Sequence, residues 1–422
     1  MEALLRIWRI REVRQSILFV LLCVTLFRVA AHIPVPGINT DGLSALLAGN
    51  QFLGLLNVFA GGTLESFSVV ALGVAPYITA SIVFQLLGMI FPSMEELQKE
   101  EQGRQKINRW TRVAAVPLAF LQGFALTKLI SQQGASFGVS ISLSGFEWAT
   151  ALVSMTAGTI FLMWLGELIS ERKIGNGVSI MIFAGIIAGL PGFLGQTIAT
   201  YTSSQLVDFI IYAVLAIVTV VGVVVITEGQ RNVPVQYARG ARIGSTKVQS
   251  HLPLRVNMVG MIPIIFAISI VVLPPLVAQF FVDARTVFIR DAATFIITLF
   301  NNQTFYGIFY FALVVAFTYF YASIVFRPER VAENLQKQGG FVPGIRPGAQ
   351  TAQYFQWVVN RLLLTGSVFL GLIAVLPIIV QQATGNVNFV VGGSSVLIVV
   401  SVVIDIIKQV ESQLTMRSYD VK

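Results

Sequence analysis

The segment from Phe52 to Phe91 reads FLGLLNVFAGGTLESFSVVALGVAPYITASIVFQLLGMIF and is apolar almost throughout. As one α-helix it would be about 60 Å long, roughly twice the ~30 Å hydrocarbon core of a bilayer, so it cannot be one straight transmembrane helix. The sequence GGTLES at residues 61–66 predicts a break. It leaves a front piece, Phe52–Ala60, too short to cross a membrane, and a back piece, Phe67–Phe91, that is long enough.

A helical stub that enters the membrane and turns back needs special surroundings. An unpaired backbone N–H or C=O costs several kcal/mol in lipid, so non-helical backbone at that depth survives only inside protein or beside water. We therefore interpret the stub, residues 52–66, as the mark of a cavity or pore.

The composition is that of a membrane protein. Hydrophobic residues make up 55% of the 422-residue chain and charged residues only 11%, against about 25% charged residues in a soluble domain. Ten apolar runs are long enough to span a bilayer, which predicts an all-α, polytopic fold. The ten runs are Ser16–Ile33, Phe67–Phe91, Val113–Ile130, Phe146–Ile169, Val178–Ile198, Leu206–Ile226, Met258–Val282, Phe305–Phe326, Val358–Val380 and Phe389–Ile407.

The distribution of lysine and arginine sets the orientation of these spans. If the N-terminus is cytoplasmic, 24 of the 28 lysines and arginines fall in cytoplasmic segments or, in the case of Arg361, at the cytoplasmic end of a span. By the positive-inside rule, both termini are therefore predicted to be cytoplasmic. The net charge of +8 then belongs mostly to one face, where it can meet anionic lipid or an acidic partner.

The ten spans divide into five and five, which predicts an N-terminal half at residues 1–199 and a C-terminal half at residues 200–422. Because five is an odd number, the second half enters the membrane from the opposite side. The topology therefore predicts two inverted halves, with a pathway at their interface.

Two cytoplasmic loops, at about residues 227–256 and 327–356, are unusually long. The first carries a basic run with Arg239 and Arg242, and in the second the sequence FVPGIRPG brackets Arg346 with two prolines and two glycines. Basic loops often serve only to hold the topology. The proline and glycine frame favours a rigid presentation of Arg346 instead, and so a docking surface.

Several kinds of chemistry are missing from the sequence. The predicted spans hold no acid or base near the membrane midplane, which counts against an ion-coupled transporter. There is no HExxH motif and no Walker-type phosphate loop. The single cysteine, Cys23, can form neither a disulfide within the chain nor a cysteine metal site. We expect a protein that is not an enzyme and that holds no cofactor or metal.

A few neutral polar side chains interrupt the aliphatic spans. Thr79 and Gln85 follow Pro76 in the second span, and Asn257 opens the seventh. Ordinary hydrogen bonds between helices, at about 0.6–2 kcal/mol each, account for such residues. The alternative is a seam between helices that weak polar contacts can close and yet allow to part.

Eight short stretches, in order along the chain, match a known pattern. They are NVFAGG at 57–62, ALGVAPYI at 71–78, MWLGE at 163–167, IGNG at 174–177, HLPLRVN at 251–257, FVPGIRPG at 341–348, GGSS at 392–395 and LIVV at 397–400. With them the sequence resembles the SecY family, the channel subunits of the protein-translocation machinery. Chance agreement at eight stretches in the same order along the chain is implausible.

The resemblance implies an hourglass pore between two five-helix halves, a re-entrant plug helix, and a lateral gate between the second–third and seventh–eighth spans. Thr79, Gln85 and Asn257 match the polar cluster of that gate. The plug residues implied are Phe52, Leu55, Leu56, Phe59, Gly61 and Gly62.

Six positions match the constriction ring of the family, and all six are aliphatic in this chain. They are Val74, Ile78, Val178, Ile182, Ile265 and Ile398. A ring without hydrogen-bonding groups resists ions by dewetting and can still flex around a polypeptide of any sequence.

The resemblance also implies the function. The chain would be the central subunit of a channel that moves unfolded polypeptides with signal sequences across the cell inner membrane and releases apolar segments into membrane lipids. Arg239, Arg242 and Arg346 match the docking site for the ribosome and for the motor ATPase SecA. Small SecE-type and SecG-type membrane subunits are the other partners implied. The alternative is an inverted-repeat secondary transporter of a small solute, which calls for a polar cavity with a charged midplane residue.

Overall fold

The computed structural model describes residues 10–36, 38, 42–49, 53, 56–57, 60–134, 144–199, 206–237, 250–384 and 390–420. Its helices, in chain order, are α1 (Arg11–Ala31), α2 (Leu43–Gly49), α3 (Ala75–Ile90), α4 (Pro92–Lys99), α5 (Glu101–Gly134), α6 (Gly145–Glu171), α7 (Gly177–Ala199), α8 (Leu206–Glu228), α9 (Ile262–Gln279), α10 (Val287–Asn301), α11 (Gln303–Val325), α12 (Pro328–Lys337), α13 (Ala349–Thr384) and α14 (Val390–Asp420). The strands are β1 (Gln230–Tyr237), β2 (Ser250–Arg255) and β3 (Gly340–Phe341).

The predicted polytopic helical fold is confirmed. Each of the ten predicted runs overlaps one of these helices. Among the described residues, six helices have the length and hydropathy of a membrane span, and the pair α3 and α4, bent by 115°, makes a seventh candidate.

The helices pack in two groups. In the first, α1 contacts α6 and α7, while α3, α5 and α6 contact one another in sequence order; in the second, α9, α11, α13, α14 and α8 form a continuous chain of contacts. Between the groups, α9 packs on α3 and α5, and we call this contact the front seam. On the other side α14 packs on α7, which we call the back seam. The predicted boundary near residue 199 and the inverted relation of the halves stay predictions.

The second span begins later than predicted. Residues 60–74 form a series of turns, and α3 starts at Ala75 rather than at Phe67. Local turns make some of the backbone bonds of this segment, such as that from Gly73 N–H to the Val70 carbonyl at 2.8 Å. Two others go to the chain that follows α1: Val35 N–H donates to the Phe67 carbonyl at 3.0 Å, and Val69 N–H donates to the Ile33 carbonyl at 2.9 Å. Gly73, with φ +57°, also breaks a helical path before α3.

The turn segment is buried in protein, as its backbone requires. Phe67 and Ser68 have no exposed surface, and the Thr63 hydroxyl lies within hydrogen-bonding distance of the carbonyls of Ala60, at 2.8 Å, and Val70, at 3.1 Å. A methyl group on Gly158 of α6 would lie 2.0 Å from the Val69 carbonyl oxygen, so this glycine lets α6 pack directly on the turn. Local turns and tertiary contacts therefore together replace the hydrogen bonds that a helix would have made.

The two long loops join in a small sheet that was not predicted from the sequence. The strand order is β2-β1-β3, with β1 and β2 antiparallel and β3 contributed by the second loop. The inward residues of the hairpin, including Val233, Val235 and Leu254, form a separate apolar core with Leu335 of α12 and Phe355 of α13. Alternate positions face one side of a strand, so the short sequences VPV and LPL place their apolar residues inside.

Candidate functional site

The stub lies where the first group of helices meets the front seam. Leu53, Leu56 and Asn57 are helical, and Leu53 and Leu56 are buried. Gly61 and Gly62, with φ of +77° and +76°, turn the chain at its end. The other three predicted plug residues, Phe52, Leu55 and Phe59, lie outside the described residues. The role of the segment as a plug stays a prediction.

Two helices hold the end of the stub at Gly61. The Arg28 guanidinium of α1 donates a hydrogen bond to the Gly61 carbonyl, with 3.1 Å between Nη1 and O. A methyl group on Gly185 of α7 would lie 2.1 Å from the Gly61 Cα, so both glycines are needed for this close approach. A hydrogen bond to a charged group contributes about 1.5–3 kcal/mol, which makes Arg28 an anchor of the stub.

The six predicted ring positions come from four elements. Val74 and Ile78 lie at the start of α3, Val178 and Ile182 on α7, Ile265 on α9 and Ile398 on α14. Five of them are at most 5% exposed, and Val178 is half-buried. A cavity of about 230 Å³ is lined by three of them, Ile78, Val178 and Ile265. The structure therefore brings three of the six to one place, and the complete ring stays a prediction.

A polar site lies in the middle of the front seam. Gln122 of α5 donates to the Thr79 hydroxyl of α3, with 3.4 Å between Nε2 and Oγ1. Thr79, Gln122 and Ser269 of α9 line a second cavity, of about 30 Å³, whose other walls are aliphatic and include Leu56 of the stub. The three helices of the seam thus each contribute one small polar group. Gln122 and Ser269 were missed in the sequence, although each is a neutral polar residue inside a predicted span, which is the signal that identified Thr79.

The other two predicted gate residues lie elsewhere. Gln85 donates to the Ser81 hydroxyl at 2.9 Å and lines the larger cavity, whereas Thr79 lines the smaller one. Six residues of α-helix turn the chain by about 600°, so Thr79 and Gln85 point to different sides of α3. Asn257 precedes α9, and its Oδ1 accepts a hydrogen bond from the Gly260 N–H at 2.9 Å. Among the described hydrogen bonds, none joins Thr79, Gln85 and Asn257 into one cluster.

Arg346 is exposed beside the small sheet. Gly344 and Gly348, with φ of +82° and +96°, make the turns on either side of it, and the Arg346 carbonyl accepts a hydrogen bond from the Thr351 hydroxyl at 2.9 Å. The frame expected from the prolines and glycines is therefore present. Arg239 and Arg242 lie outside the described residues, between β1 and β2.

The predicted ring positions are aliphatic, and the polar groups at the middle of the front seam are amides and hydroxyls. The larger cavity adds the Glu167 carboxylate, which pairs with Arg112 of α5. The part of the chain that the structure describes contains no group of three or more His, Cys, Asp or Glu side chains that could hold a metal ion.

Comparison with known proteins identifies a family and relatives that are similar to this chain. The family model for SecY matches residues 68–407. The protein translocase subunit SecY of Pseudomonas aeruginosa is 41% identical to the chain over 411 residues, which are 95% of this chain and 91% of that protein.

Two solved structures have a similar fold. A structure described as a protein conducting channel matches with a TM-score of 0.63 and 18% identity, over 93% of this chain and 91% of the other. Sec61 in the canine ribosome-channel complex from the endoplasmic reticulum matches with a TM-score of 0.61 and 19% identity, also over 93% and 91%. At these identities the likeness shows the fold.

Loss of the Arg28 anchor should expose the stub. In a Cys23→Ser background, the thiol introduced by Leu56→Cys should react slowly with a water-soluble maleimide, because Leu56 is only 5% exposed. Arg28→Gln should raise the labelling rate about tenfold, since it removes a hydrogen bond from a charged group.

Gly185→Val should act in the same direction, because it forces Gly61 away. Gly189→Val on the same helix is the matched control, since nothing lies within 4 Å of a methyl group there. Equal labelling rates in the parent, Arg28→Gln and Gly185→Val would show that Gly61 is not an anchor point.

Proposed function

The chain belongs to the SecY family, and from that premise we propose that it forms a protein-conducting channel. Its working parts are the front seam, the stub and the aliphatic constriction ring, which we call the neck. The channel moves unfolded polypeptides across a membrane and releases apolar segments sideways between α9 and the pair α3 and α5. The observation that carries this assignment is one cavity. Leu56 of the stub and the seam residues Thr79, Gln122 and Ser269 line it together.

Because the stub and the front seam line one cavity, movement of one affects the other. A segment that parts α9 from α3 and α5 removes one wall from around Leu56, so opening the seam also loosens the stub. The polar contacts to be broken are few and, between helices in a membrane, each contributes only about 0.6–2 kcal/mol. An apolar signal sequence can supply this free energy by partitioning into lipid, which explains recognition by hydrophobicity rather than by sequence.

The neck formed by Val74, Ile78, Val178, Ile182, Ile265 and Ile398 would oppose ion flow while the channel is at rest. A narrow aliphatic constriction holds water poorly, and ions do not pass where water is absent. Side chains without hydrogen-bonding groups also impose no sequence preference on a passing polypeptide. Both properties suit a channel with many clients.

The basic side of the molecule is proposed as the docking surface for the ribosome and the SecA motor. The small sheet and its apolar core give the loops a fixed shape, and the glycine turns present Arg346 to solvent. The similarity to Sec61 in a ribosome-channel complex supports a ribosome as a partner of this kind. SecE-type and SecG-type subunits, a place in the inner membrane, cytoplasmic termini and the lack of an enzymatic activity of its own complete the proposal.

The comparisons give no support to a solute transporter. The relatives and similar structures are translocase subunits and protein-conducting channels. The larger cavity is lined by Glu167 and Asn176 as well as aliphatic residues, but Glu167 pairs with Arg112 of α5, with 2.5 Å between Oε1 and Nε. The negative charge of Glu167 is therefore already paired with a cation of the protein.

A stalled polypeptide should cross-link to the neck. A photoreactive amino acid in place of Ile182 or Ile265 should form adducts with a signal-bearing client arrested during transport, because both side chains would face the pore. Val218 on α8 is the control, since its side chain is 64% exposed on the outer surface. Adducts at Val218 alone, or at none of the three, would contradict the proposed path.

A polar residue in the neck should increase its resting leak. Ile398→Asn replaces a fully buried side chain with a hydrogen-bonding amide, which should admit water and raise the resting ion conductance of reconstituted channels by about tenfold or more. Val403→Asn, on an exposed side of the same helix, should impair insertion or folding instead, because its amide would lie in hydrocarbon. If both variants leak equally in planar bilayers, Ile398 is not part of the barrier.

Charge reversal at Arg346 should separate docking from folding. Arg346→Glu should lower motor- or ribosome-driven transport several-fold at matched channel levels, while membrane insertion stays normal, because the side chain is exposed. Arg330→Glu, at another exposed arginine of the same loop, gives the same change in net charge. Docking at Arg346 is contradicted if its reversal has no effect, or if Arg330→Glu has an equal one.

A further inference from the structure

Beyond the polar site at its middle, the front seam carries a second set of contacts at its far end. We call this the distal end, because it is the end of α5 and α9 opposite the small sheet. Phe124, Lys128 and Gln132 are spaced four residues apart and form one stripe along α5. Gln279 ends α9, and Phe280 and Asp283 follow it.

The two sets meet residue by residue. The rings of Phe124 and Phe280 stack with 5.2 Å between centroids and 17° between planes. One turn further along α5, Lys128 Nζ lies 2.8 Å from Asp283 Oδ2. At the last turn the amide of Gln279 donates a hydrogen bond to the amide oxygen of Gln132. Aromatic, ionic and amide contacts thus join α5 to α9 within three turns.

These contacts differ in how far their side chains are exposed to solvent. Gln279 is 3% exposed, so parting the helices would leave its amide buried and unpaired unless water follows. Lys128 is 23% exposed and Asp283 65%, so this pair is at the rim and is partly screened by solvent. The ion pair therefore fixes which residues meet. The amide hydrogen bond resists separation on its Gln279 side, which is buried, whereas Gln132 is exposed.

Polar contacts matter more here than apolar ones because the seam faces lipid. When two helices part in a bilayer, lipid tails or an apolar signal sequence replace the aliphatic contacts with little loss, since hydrocarbon is no worse a neighbour than leucine. An apolar segment cannot replace a hydrogen bond or an ion pair. The free energy that keeps the seam closed against a signal sequence is therefore concentrated in its polar contacts.

We propose that Gln132 with Gln279 and Lys128 with Asp283 form a distal latch, which determines how apolar a signal sequence must be to open the seam. The proposal rests on the channel function above and adds specificity-determining residues to it. The Gln122–Thr79 hydrogen bond in the middle of the seam joins α5 to α3, which lie on the same side of it. Among the polar contacts of the described residues, the latch is the closure between α9 and α5, so segments that part the middle of the seam remain held until the latch also breaks.

A charge swap tests the ion pair. Asp283→Lys and Lys128→Asp each place like charges together, and each should raise transport of a client with a weakened signal about five- to tenfold. The double variant restores an opposite pair and should return transport to within about twofold of the parent. Asp291→Lys, at an exposed residue of α10, is the matched control for added charge and should have no effect.

Gln279→Leu tests the amide pair with a side chain of similar size. It should raise weak-signal transport about as much as a charge reversal, with little change for a client whose signal is strongly apolar. Single variants that behave like the parent, or a double variant that adds their effects instead of cancelling them, would overturn the latch.

A distance measurement keeps the latch and the channel function apart. Spin labels on Val83→Cys of α3 and Val277→Cys of α9, in a Cys23→Ser background, report the width of the seam without any client; both positions are exposed. The single variants should populate longer distances than the parent, and the charge swap should reverse this. An unchanged distance distribution in the reconstituted chain refutes the latch even if proteins are transported, whereas a widened seam without transport refutes the channel function alone.

Discussion

Every backbone N–H and C=O within the hydrocarbon region must find a partner inside the protein, and the arrangement of this molecule follows from that requirement. Most of the chain meets it with helices. The turns at residues 60–74 meet it with their own turn hydrogen bonds and with bonds from the chain after α1 and the Thr63 side chain. Gly158 lets α6 pack directly against this segment, which lipid would not tolerate. Because this segment is packed between helices, the stub before it lies beside the front seam, where Leu56 lines a cavity with residues of α3, α5 and α9.

The lipid bilayer also explains why a channel can open sideways without losing its fold. In water, parting α9 from α3 and α5 would expose apolar surface at a high cost, but in a bilayer lipid covers that surface. In the part of the chain that the structure describes, the polar contacts across the seam are the Gln279–Gln132 hydrogen bond and the Lys128–Asp283 ion pair at its distal end. Few polar contacts give a closure that is specific and still reversible.

The loops on the basic side lie in water instead of lipid, so their backbone can bond to solvent and needs other contacts to keep one shape. The two loops do so with strands, a separate apolar core and glycine turns, and Arg346 gains a fixed position from them. The sheet is connected closely to the helices, since β1 begins two residues after the end of α8 and α9 begins seven residues after the end of β2.

The polytopic helical fold, the break after the stub, the frame of Arg346 and the family were all determined by the sequence itself, because each is local. A run of apolar residues, a pair of glycines or a short motif has its meaning wherever the chain goes. The partners of those residues were decided by the tertiary structure. Thr79 meets Gln122, 43 residues away, instead of Gln85 and Asn257, and Gln132 meets Gln279, 147 residues away. The late start of α3 and the joining of two loops in one sheet belong with them. A hydrogen bond between helices depends on which faces the packing brings together, and hydropathy along a single helix does not contain that information.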